Sequence, residues 1–297
     1  MRCVMLALVL ALAPACDNSS PTPTPPLAGR IVFTSDRSDG SGVPLLYSMD
    51  PDGSDVRFMP ISIPGPLGWP DVAPSGDRLL VSRESVYLVN ADGTGLQNLT
   101  PGDGNSRRGR WSPDGSLIAF ESDRTSSSDI WIMNADGTGQ FNFTDSPEDE
   151  YMAGWSPDGS SLVFSRVPAD GANEARLFAM NSNGTGLRQL TDEMEVLALG
   201  ARYSPDGAWI VYERLSPGRT GIGLVRSDGS GNHELIGADT VGFGSPDWSP
   251  DGQQIAFEFI DQSATRRIAV IRPDGTGLTI LTPESSGGSP DWGPAVE

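Results

Sequence analysis

One short turn sequence recurs six times along the chain, each time with an Asp-Gly or Asn-Gly pair at its centre. The six central glycines are spaced 40 to 47 residues apart and are Gly53, Gly93, Gly137, Gly184, Gly229 and Gly275. A second turn, Trp-Ser-Pro-Asp-Gly or a degraded copy of it, alternates with the first and begins at Val72, Trp111, Trp155, Tyr203, Trp248 and Trp292. Self-similarity at this period is typical of propeller blades.

Between the two turns lie short apolar runs that predict strands rather than helices. The runs expected to form second strands are Ile31-Val32-Phe33, Leu79-Leu80-Val81, Ile118-Ala119-Phe120, Leu162-Val163-Phe164, Ile210-Val211-Tyr212 and Ile255-Ala256-Phe257. Apolar residues at consecutive positions indicate burial on both faces of a sheet, whereas the predicted fourth strands alternate and should face water on one side. The sequence therefore predicts an all-β, six-bladed β-propeller with four antiparallel strands per blade.

The two ends of the chain complement each other. A second strand follows Arg30 directly, and the last copy of the second turn, at Trp292, leaves a first strand with no second strand after it. We expect this C-terminal strand to pair with the N-terminal strand at Ile31 and to close the ring, so that few strand edges stay unpaired.

The repeat resembles the propeller domain of the TolB family, which carries W-S-P-D-G, then I-A-F, then a strand that ends in D-G-T-G. The resemblance covers residues 29–297 and implies the propeller fold. TolB proteins also carry an α/β domain before the propeller, and the interval between Cys16 and Ile31 is too short for one.

The N-terminus predicts export. Arg2 precedes an apolar run, Val4 to Ala13, that suits the core of a signal peptide, and Ala13-Pro14-Ala15 suits its cleavage site. Because Cys16 follows, the stretch resembles a bacterial lipoprotein signal, with Ala13 where that pattern has Leu. We expect a signal peptide over residues 1–15, lipidation of Cys16, a Pro/Ser/Thr-rich tether over 16–28 and a propeller over 29–297. The alternative is ordinary export with a free Cys16. The domain would be periplasmic or at the cell surface.

Charge excludes one class of partner. The formal net charge is -19, and all 20 basic residues are arginines. Such an acidic surface repels phosphate backbones, so nucleic acid is not an expected partner.

Catalytic and metal-binding patterns are mostly missing from the sequence. His233 is the only histidine, and Cys16 is the only cysteine outside the predicted signal peptide, so neither a His-based metal site nor a disulfide is expected. No G-x-S-x-G motif accompanies His233. The carboxylate-rich turn from Asp50 to Asp55 departs from the spacing of a calcium loop. We predict no cofactor and no metal. Paired carboxylates acting on a glycan remain an alternative, because the chain has 39 acidic residues.

The loops that join fourth strands to first strands differ most between repeats, which favours a binding role for them. They offer basic, acidic and apolar residues together: Arg107, Arg108, Arg110, Glu148, Asp149, Tyr151, Met152, Met194 and Leu197. This mixture suits a protein or peptide partner, with Tyr151 and Met152 expected to be exposed. Alternatively, arginines and acidic residues pair across adjacent blades while the apolar residues tuck beneath the loops.

The residue before each first-strand aromatic should point towards the central channel. These positions hold Asp71, Arg110, Gly154, Arg202, Asp247 and Asp291. Such a ring could bind water, an ion or a small polar ligand, or it could be ordinary channel lining.

The function that these observations predict is a non-catalytic, monomeric binding propeller of the cell envelope. It would be tethered to the membrane by its lipid anchor and would recognise a protein or peptide. The alternative is a glycan-binding or glycan-active propeller that depends on carboxylates.

Overall fold

The computed structural model describes residues 27–35, 45–61, 63, 65, 67–102, 104–168, 174–194, 196–282 and 287–295. The predicted signal peptide, Cys16 and most of the predicted tether lie outside these ranges. Every regular element within them is a β-strand, and the strands form six sheets of four. Among the described residues, no helix has the length and apolarity needed to cross a membrane.

The 24 strands of the described ranges are numbered in chain order. They are β1 (Ile31–Ser35), β2 (Leu45–Met49), β3 (Arg57–Phe58), β4 (Gly68–Val72), β5 (Arg78–Ser82), β6 (Val86–Asn90), β7 (Gln97–Asn98), β8 (Ser106–Trp111), β9 (Leu117–Ser122), β10 (Asp129–Asn134), β11 (Phe141–Asn142), β12 (Asp149–Trp155), β13 (Ser161–Val167), β14 (Arg176–Asn181), β15 (Arg188–Gln189), β16 (Leu197–Tyr203), β17 (Trp209–Ser216), β18 (Arg219–Arg226), β19 (His233–Ala238), β20 (Gly242–Trp248), β21 (Ile255–Ile260), β22 (Arg266–Ile271), β23 (Thr279–Ile280) and β24 (Gly288–Trp292).

Each sheet is one blade. Blade 1 has the strand order β24-β1-β2-β3, and blades 2 to 6 are β4–β7, β8–β11, β12–β15, β16–β19 and β20–β23. The first strands of neighbouring blades contact one another around the whole circle, from β4 through β24 and back to β4. The predicted six-bladed propeller is confirmed.

The apolar triplets occupy the second strands and are fully buried. They pack between blades: Val32 of blade 1 shares a core cluster with Leu79 and Val81 of blade 2, and Phe33 shares another with Ala256 of blade 6. Consecutive apolar residues are needed here because both faces of each sheet are covered by a neighbouring blade. Most fourth strands are two exposed residues long, and β19, with six residues, is the exception.

Blade 1 closes the ring in the predicted manner. β24 pairs antiparallel with β1, with Ile31 opposite Trp292, and the Thr34 hydroxyl donates to the Gly288 carbonyl at 2.9 Å. Since β24 comes from one end of the described chain and β1 from the other, the closing blade ties the two ends together.

Candidate functional site

The turns define two faces of the propeller. The turn face carries the turns between first and second strands and between third and fourth strands, and the loop face carries the other connections. In the Ser-Pro-Asp-Gly turns the aspartate accepts a hydrogen bond from the serine, as between Ser156 and Asp158 at 2.6 Å. Bonds from Ser156 and from the Ser160 backbone and hydroxyl lower the pKa of Asp158 to about 2. These aspartates are committed to turn structure.

Every first strand contains a β-bulge three residues before its aromatic or apolar end. The pairing with the neighbouring strand shifts there in all six blades. The bulge residue has a left-handed backbone, with φ between 48° and 63°. We call these residues the bulge ring; they are Trp69, Arg108, Met152, Gly200, Ser245 and Ser289. Bulges commonly re-aim a side chain next to a functional site.

The bulge ring lines a cavity that opens on the loop face. Its volume is about 40 Å³, and all six bulge residues contribute to its wall. Arg110, Arg202, Glu213 and three prolines complete it. The space suffices for a few water molecules or for the tip of one side chain. We refer to it as the loop-face cavity.

Arg108 is the most strongly held member of the bulge ring. Its guanidinium lies 4.4 Å from the centre of the Trp69 ring, and its Nη1 contacts a Glu121 carboxylate oxygen at 2.9 Å. Glu121 is 2% exposed and also accepts the Met152 backbone N–H at 2.7 Å. Arg107 also contacts this carboxylate, with its Nε 3.4 Å from a Glu121 oxygen. Glu121 thus connects two arginines of blade 3 to the bulge of blade 4.

The remaining loop residues divide into paired and free groups. Glu148 contacts Arg166 at 3.1 Å, and Asp149 accepts the Ser128 backbone N–H at 2.8 Å. Tyr151, Met152 and Leu197 are half-buried, whereas Met194 is 80% exposed. The expectation that Tyr151 and Met152 are exposed is therefore wrong in degree. The alternative of charge pairs across adjacent blades does not hold for Arg107, Arg108 and Glu148, whose salt bridges lie within one blade. It holds for Arg110, which contacts Asp71 of the neighbouring blade.

Glu213 is a residue that the sequence reasoning missed. It follows the apolar triplet of β17 and lines the loop-face cavity. Burial raises the pKa of Glu213 to about 7, against the opposing effect of a hydrogen bond from the Ser245 backbone. Glu121 and Glu258 occupy the same position in β9 and β21, so a carboxylate after the second-strand triplet was the available signal.

The six residues that precede the first-strand ends lie together around the axis. Asp71, Arg110, Gly154, Arg202, Asp247 and Asp291 all line one cavity of about 300 Å³ on the turn face. We call this set the channel ring and the space the turn-face cavity. Arg110 and Arg202 also line the loop-face cavity, so they lie where the two cavities meet.

Each channel-ring aspartate accepts a backbone hydrogen bond from the next blade. Asp247, Asp291 and Asp71 accept the backbone N–H groups of Trp292, Val72 and Trp111, respectively, at 2.6 to 2.8 Å. Arg110 contacts Asp71 at 3.1 Å, and Arg202 contacts Asp247 at 3.7 Å.

Burial perturbs the ionisation of the channel ring. Burial raises the pKa of Asp247, and burial together with the neighbouring charges of Asp71 and Asp247 raises that of Asp291 well above its usual range. Burial, with repulsion from Arg110, lowers the pKa of Arg202 to about 10.

The structure also places the single histidine and the other side chains that could bind a metal. Across the described ranges, no three His, Cys, Asp or Glu side chains are grouped so that they could hold a metal ion. His233 is exposed on β19 and lies edge-on to Trp209, with ring centres 5.8 Å apart.

Comparison with known proteins agrees with the fold. A family model described as the TolB β-propeller domain matches residues 60–240 and 151–297. A protein assigned as TolB from Agrobacterium tumefaciens is 23% identical, with a TM-score of 0.70 over 89% of this chain and 92% of that chain. TolB from Acinetobacter baumannii is 19% identical, with a TM-score of 0.74 over 90% of this chain and 67% of that chain.

A third solved structure carries the name of an enzyme. An oligogalacturonate lyase from Vibrio parahaemolyticus is 16% identical, with a TM-score of 0.56 over 85% of this chain and 73% of that chain. At these identities the structural likenesses demonstrate a common fold. No curated protein sequence matches the chain.

Proposed function

We propose that the chain, which belongs to the TolB β-propeller domain family, is a non-catalytic binding propeller of the cell envelope. Its loop face recognises a protein or peptide partner, and a lipid on Cys16 tethers it to a membrane. The observation that carries this proposal is the bulge ring, in which the same backbone conformation presents six residues of five different types at the centre of the loop face.

The residues at the loop face have the chemistry of a protein interface. Trp69 and Arg108 are stacked and held in place, Met152 lines the same cavity, and Met194 is exposed in a loop of the same face. Tryptophan, arginine and methionine are enriched where proteins bind one another. Because Glu121 fixes the Arg108 side chain before any partner arrives, little conformational entropy is lost on binding.

The position of the N-terminal segment supports a tethered arrangement. The Leu27 backbone N–H donates to the Gly76 carbonyl at 2.8 Å, and the Gly29 N–H donates to the Pro294 carbonyl. Both acceptors belong to turns between first and second strands or their equivalent, so the chain joins the propeller at the turn face. A tether that leads from Leu27 to a membrane would leave the loop face free for a partner.

The anchor is tested on protein extracted from membranes. Intact mass is expected to report an acylated Cys16 at the N-terminus, and Cys16→Ser is expected to move the protein to the soluble fraction with an unchanged melting temperature. A retained Met1, or an unmodified Cys16 N-terminus, contradicts the anchor while leaving the loop-face proposal open.

The binding face is tested by site-specific photo-crosslinking in cells. A photoreactive residue at Met194, on the loop face, is expected to give a discrete protein adduct. One at Leu278, which is 49% exposed beside a third-to-fourth-strand turn, is the matched control. Arg107→Glu should weaken the Met194 adduct, since this arginine is the more exposed partner of Glu121. Equal adducts at both positions, or an adduct at Leu278 alone, contradict the proposal.

The second candidate is a glycan-active enzyme, and Glu213 is the observation that favours it. A carboxyl group with a pKa of about 7 that lines the small loop-face cavity has the property of a general acid. Glu213→Gln separates the two functions: an enzyme would lose turnover of an acidic or neutral oligosaccharide, whereas a binding propeller would have no turnover to lose and would keep its Met194 adduct.

A further inference from the structure

The turn-face cavity lies on the opposite side of the propeller from the proposed partner face. Its volume of about 300 Å³ is in the range of pockets that hold small molecules. First-strand aromatics such as Trp155 and Trp248 and the prolines of the turns form its wall, and the channel ring supplies its charged residues. The cavity therefore combines an apolar wall with convergent charges, as small-molecule sites do.

The charges of the channel ring are separated across the axis. In order around the circle, the three consecutive blades 6, 1 and 2 contribute Asp247, Asp291 and Asp71. Blades 3 and 5 contribute Arg110 and Arg202, and Gly154 of blade 4, which has no side chain, stands between them. Since opposite positions in a ring of six are three blades apart, Asp291 faces the gap between the two arginines. One side of the ring is anionic and the other is cationic.

Two Asp–Arg pairs lie on either side of the line that joins Asp291 to the gap between the arginines. They leave the charges at both ends of this line incompletely neutralised. Asp71 pairs with Arg110, and Asp247 pairs more loosely with Arg202. Within the described part of the chain, Asp291 is the ring carboxylate that has no salt bridge. It lies between two other carboxylates, and burial, together with the repulsion from both, raises its pKa.

The cationic end shows the complementary situation. Arg202 Nη1 donates to the neighbouring Ala201 carbonyl at 3.2 Å, and its Nε lies 3.7 Å from Asp247, beyond hydrogen-bond distance. Burial and Arg110 together disfavour its charge. A negative group between Arg110 and Arg202 would relieve this repulsion, and a positive group at Asp291 would relieve the repulsion at the other end.

We propose that the turn-face cavity binds a small zwitterion of the α-amino acid class. Its carboxylate lies between Arg110 and Arg202 beside Gly154, and its ammonium group lies against Asp291. Guanidinium groups bind carboxylates strongly, through charge-assisted hydrogen bonds. The aromatic and proline wall accommodates the ligand's side chain. Arg110 and Arg202 are shared with the wall of the loop-face cavity, but the two proposals are tested with different probes and at different residues, so either can fail without the other.

The first test uses the purified full chain and three matched probes. Calorimetric titration with L-alanine is expected to give saturable binding and a higher melting temperature. L-Alaninamide, which lacks the carboxylate, and N-acetyl-L-alanine, which lacks the ammonium group, are each expected to bind about 10-fold more weakly or worse, the value of one lost charged hydrogen bond. The proposal is overturned if millimolar L-alanine, L-serine and L-leucine give neither heat nor a thermal shift, or if the blocked analogues bind as tightly.

Two substitutions assign the ends of the ligand. Arg202→Gln is expected to weaken L-alanine about 10-fold and to leave L-alaninamide unchanged, whereas Asp291→Asn should weaken L-alanine and leave N-acetyl-L-alanine unchanged. The amide introduced by Asp291→Asn keeps an oxygen that can accept the Val72 N–H, which favours folding. Arg272→Gln, in a turn outside the cavity, is the control. Equal losses for all three probes in either variant would contradict the assignment, and the probe series on the unaltered chain decides the matter if a variant does not fold.

Discussion

At the scale of single residues, the repeated turn glycines share one backbone conformation but differ in how closely the neighbouring blade approaches them. Gly93 and Gly184 both have φ of 81°. A Cβ on Gly93 would come within 2.8 Å of the Pro60 carbonyl oxygen in the neighbouring blade, whereas a Cβ on Gly184 would meet nothing within 4 Å. Gly184→Ala should cost about 1 kcal/mol of unfolding free energy, because alanine is strained in the left-handed conformation. Gly93→Ala should cost roughly twice that or more, because its Cβ would also clash with the Pro60 carbonyl. Denaturant unfolding of both variants measures this, and equal losses would contradict the role of the contact.

Glu213 makes stability depend on pH in an unusual direction. Its pKa of about 7 in the fold exceeds the ordinary 4.5, so between those values the folded state keeps a proton that the unfolded state has lost. Its contribution is thus complete below pH 4.5 and disappears as pH rises through 7. In Glu213→Gln the fall in unfolding free energy between about pH 5 and pH 8 should shrink by about 2 kcal/mol. The pKa is also raised by burial in four other carboxyl groups, those of Glu150, Glu258, Asp247 and Asp291, so they contribute a pH dependence of the same sign. The unaltered protein and Glu84→Gln therefore serve as references.

At the scale of elements, Glu121 links the second strand of blade 3 to the bulge of blade 4. Glu121→Gln keeps an acceptor for the Met152 N–H but leaves the largely buried Arg108 without a counter-charge. Unpairing a buried charge is strongly destabilising, and we expect a loss of about 3 kcal/mol. The exposed Glu84→Gln, in blade 2, should change stability by less than about 0.5 kcal/mol. Thermal unfolding compares the two, and a neutral Glu121→Gln would show that the link carries little energy.

Elements also separate what sequence could predict from what it could not. Ile118-Ala119-Phe120 and its counterparts announce second strands, because burial on both sides demands apolar residues in succession. Arg110 and its counterparts are located by the residue that follows them, which is aromatic in five repeats and Val72 in the sixth. The bulge has no such signature, since tryptophan, arginine, methionine, glycine and serine all occupy it. Without the bulge, the burial of Arg108 against Glu121, thirteen residues away, could not be foreseen.

At the scale of the whole molecule, the ring depends on the pairing of β24 with β1. Removing residues 287–297 takes away the first strand of blade 1 and the Asp291 bond to Val72. The propeller should then lose its cooperative thermal transition or melt at least about 10 °C lower, because an opened ring exposes the faces of two blades. Removing residues 296–297 alone is the control. An unchanged transition in the longer truncation would mean that the closing strand β24 is dispensable.

The bulge also shapes how such a molecule can diversify. Its backbone is imposed by strand pairing, and five chemically distinct residue types already tolerate it within one chain. Six residues, one per blade, therefore determine the chemistry of the centre of the loop face, while the strands around them keep the same backbone. New binding specificities could therefore evolve by point substitutions at these six positions, without any change in the strands that hold them.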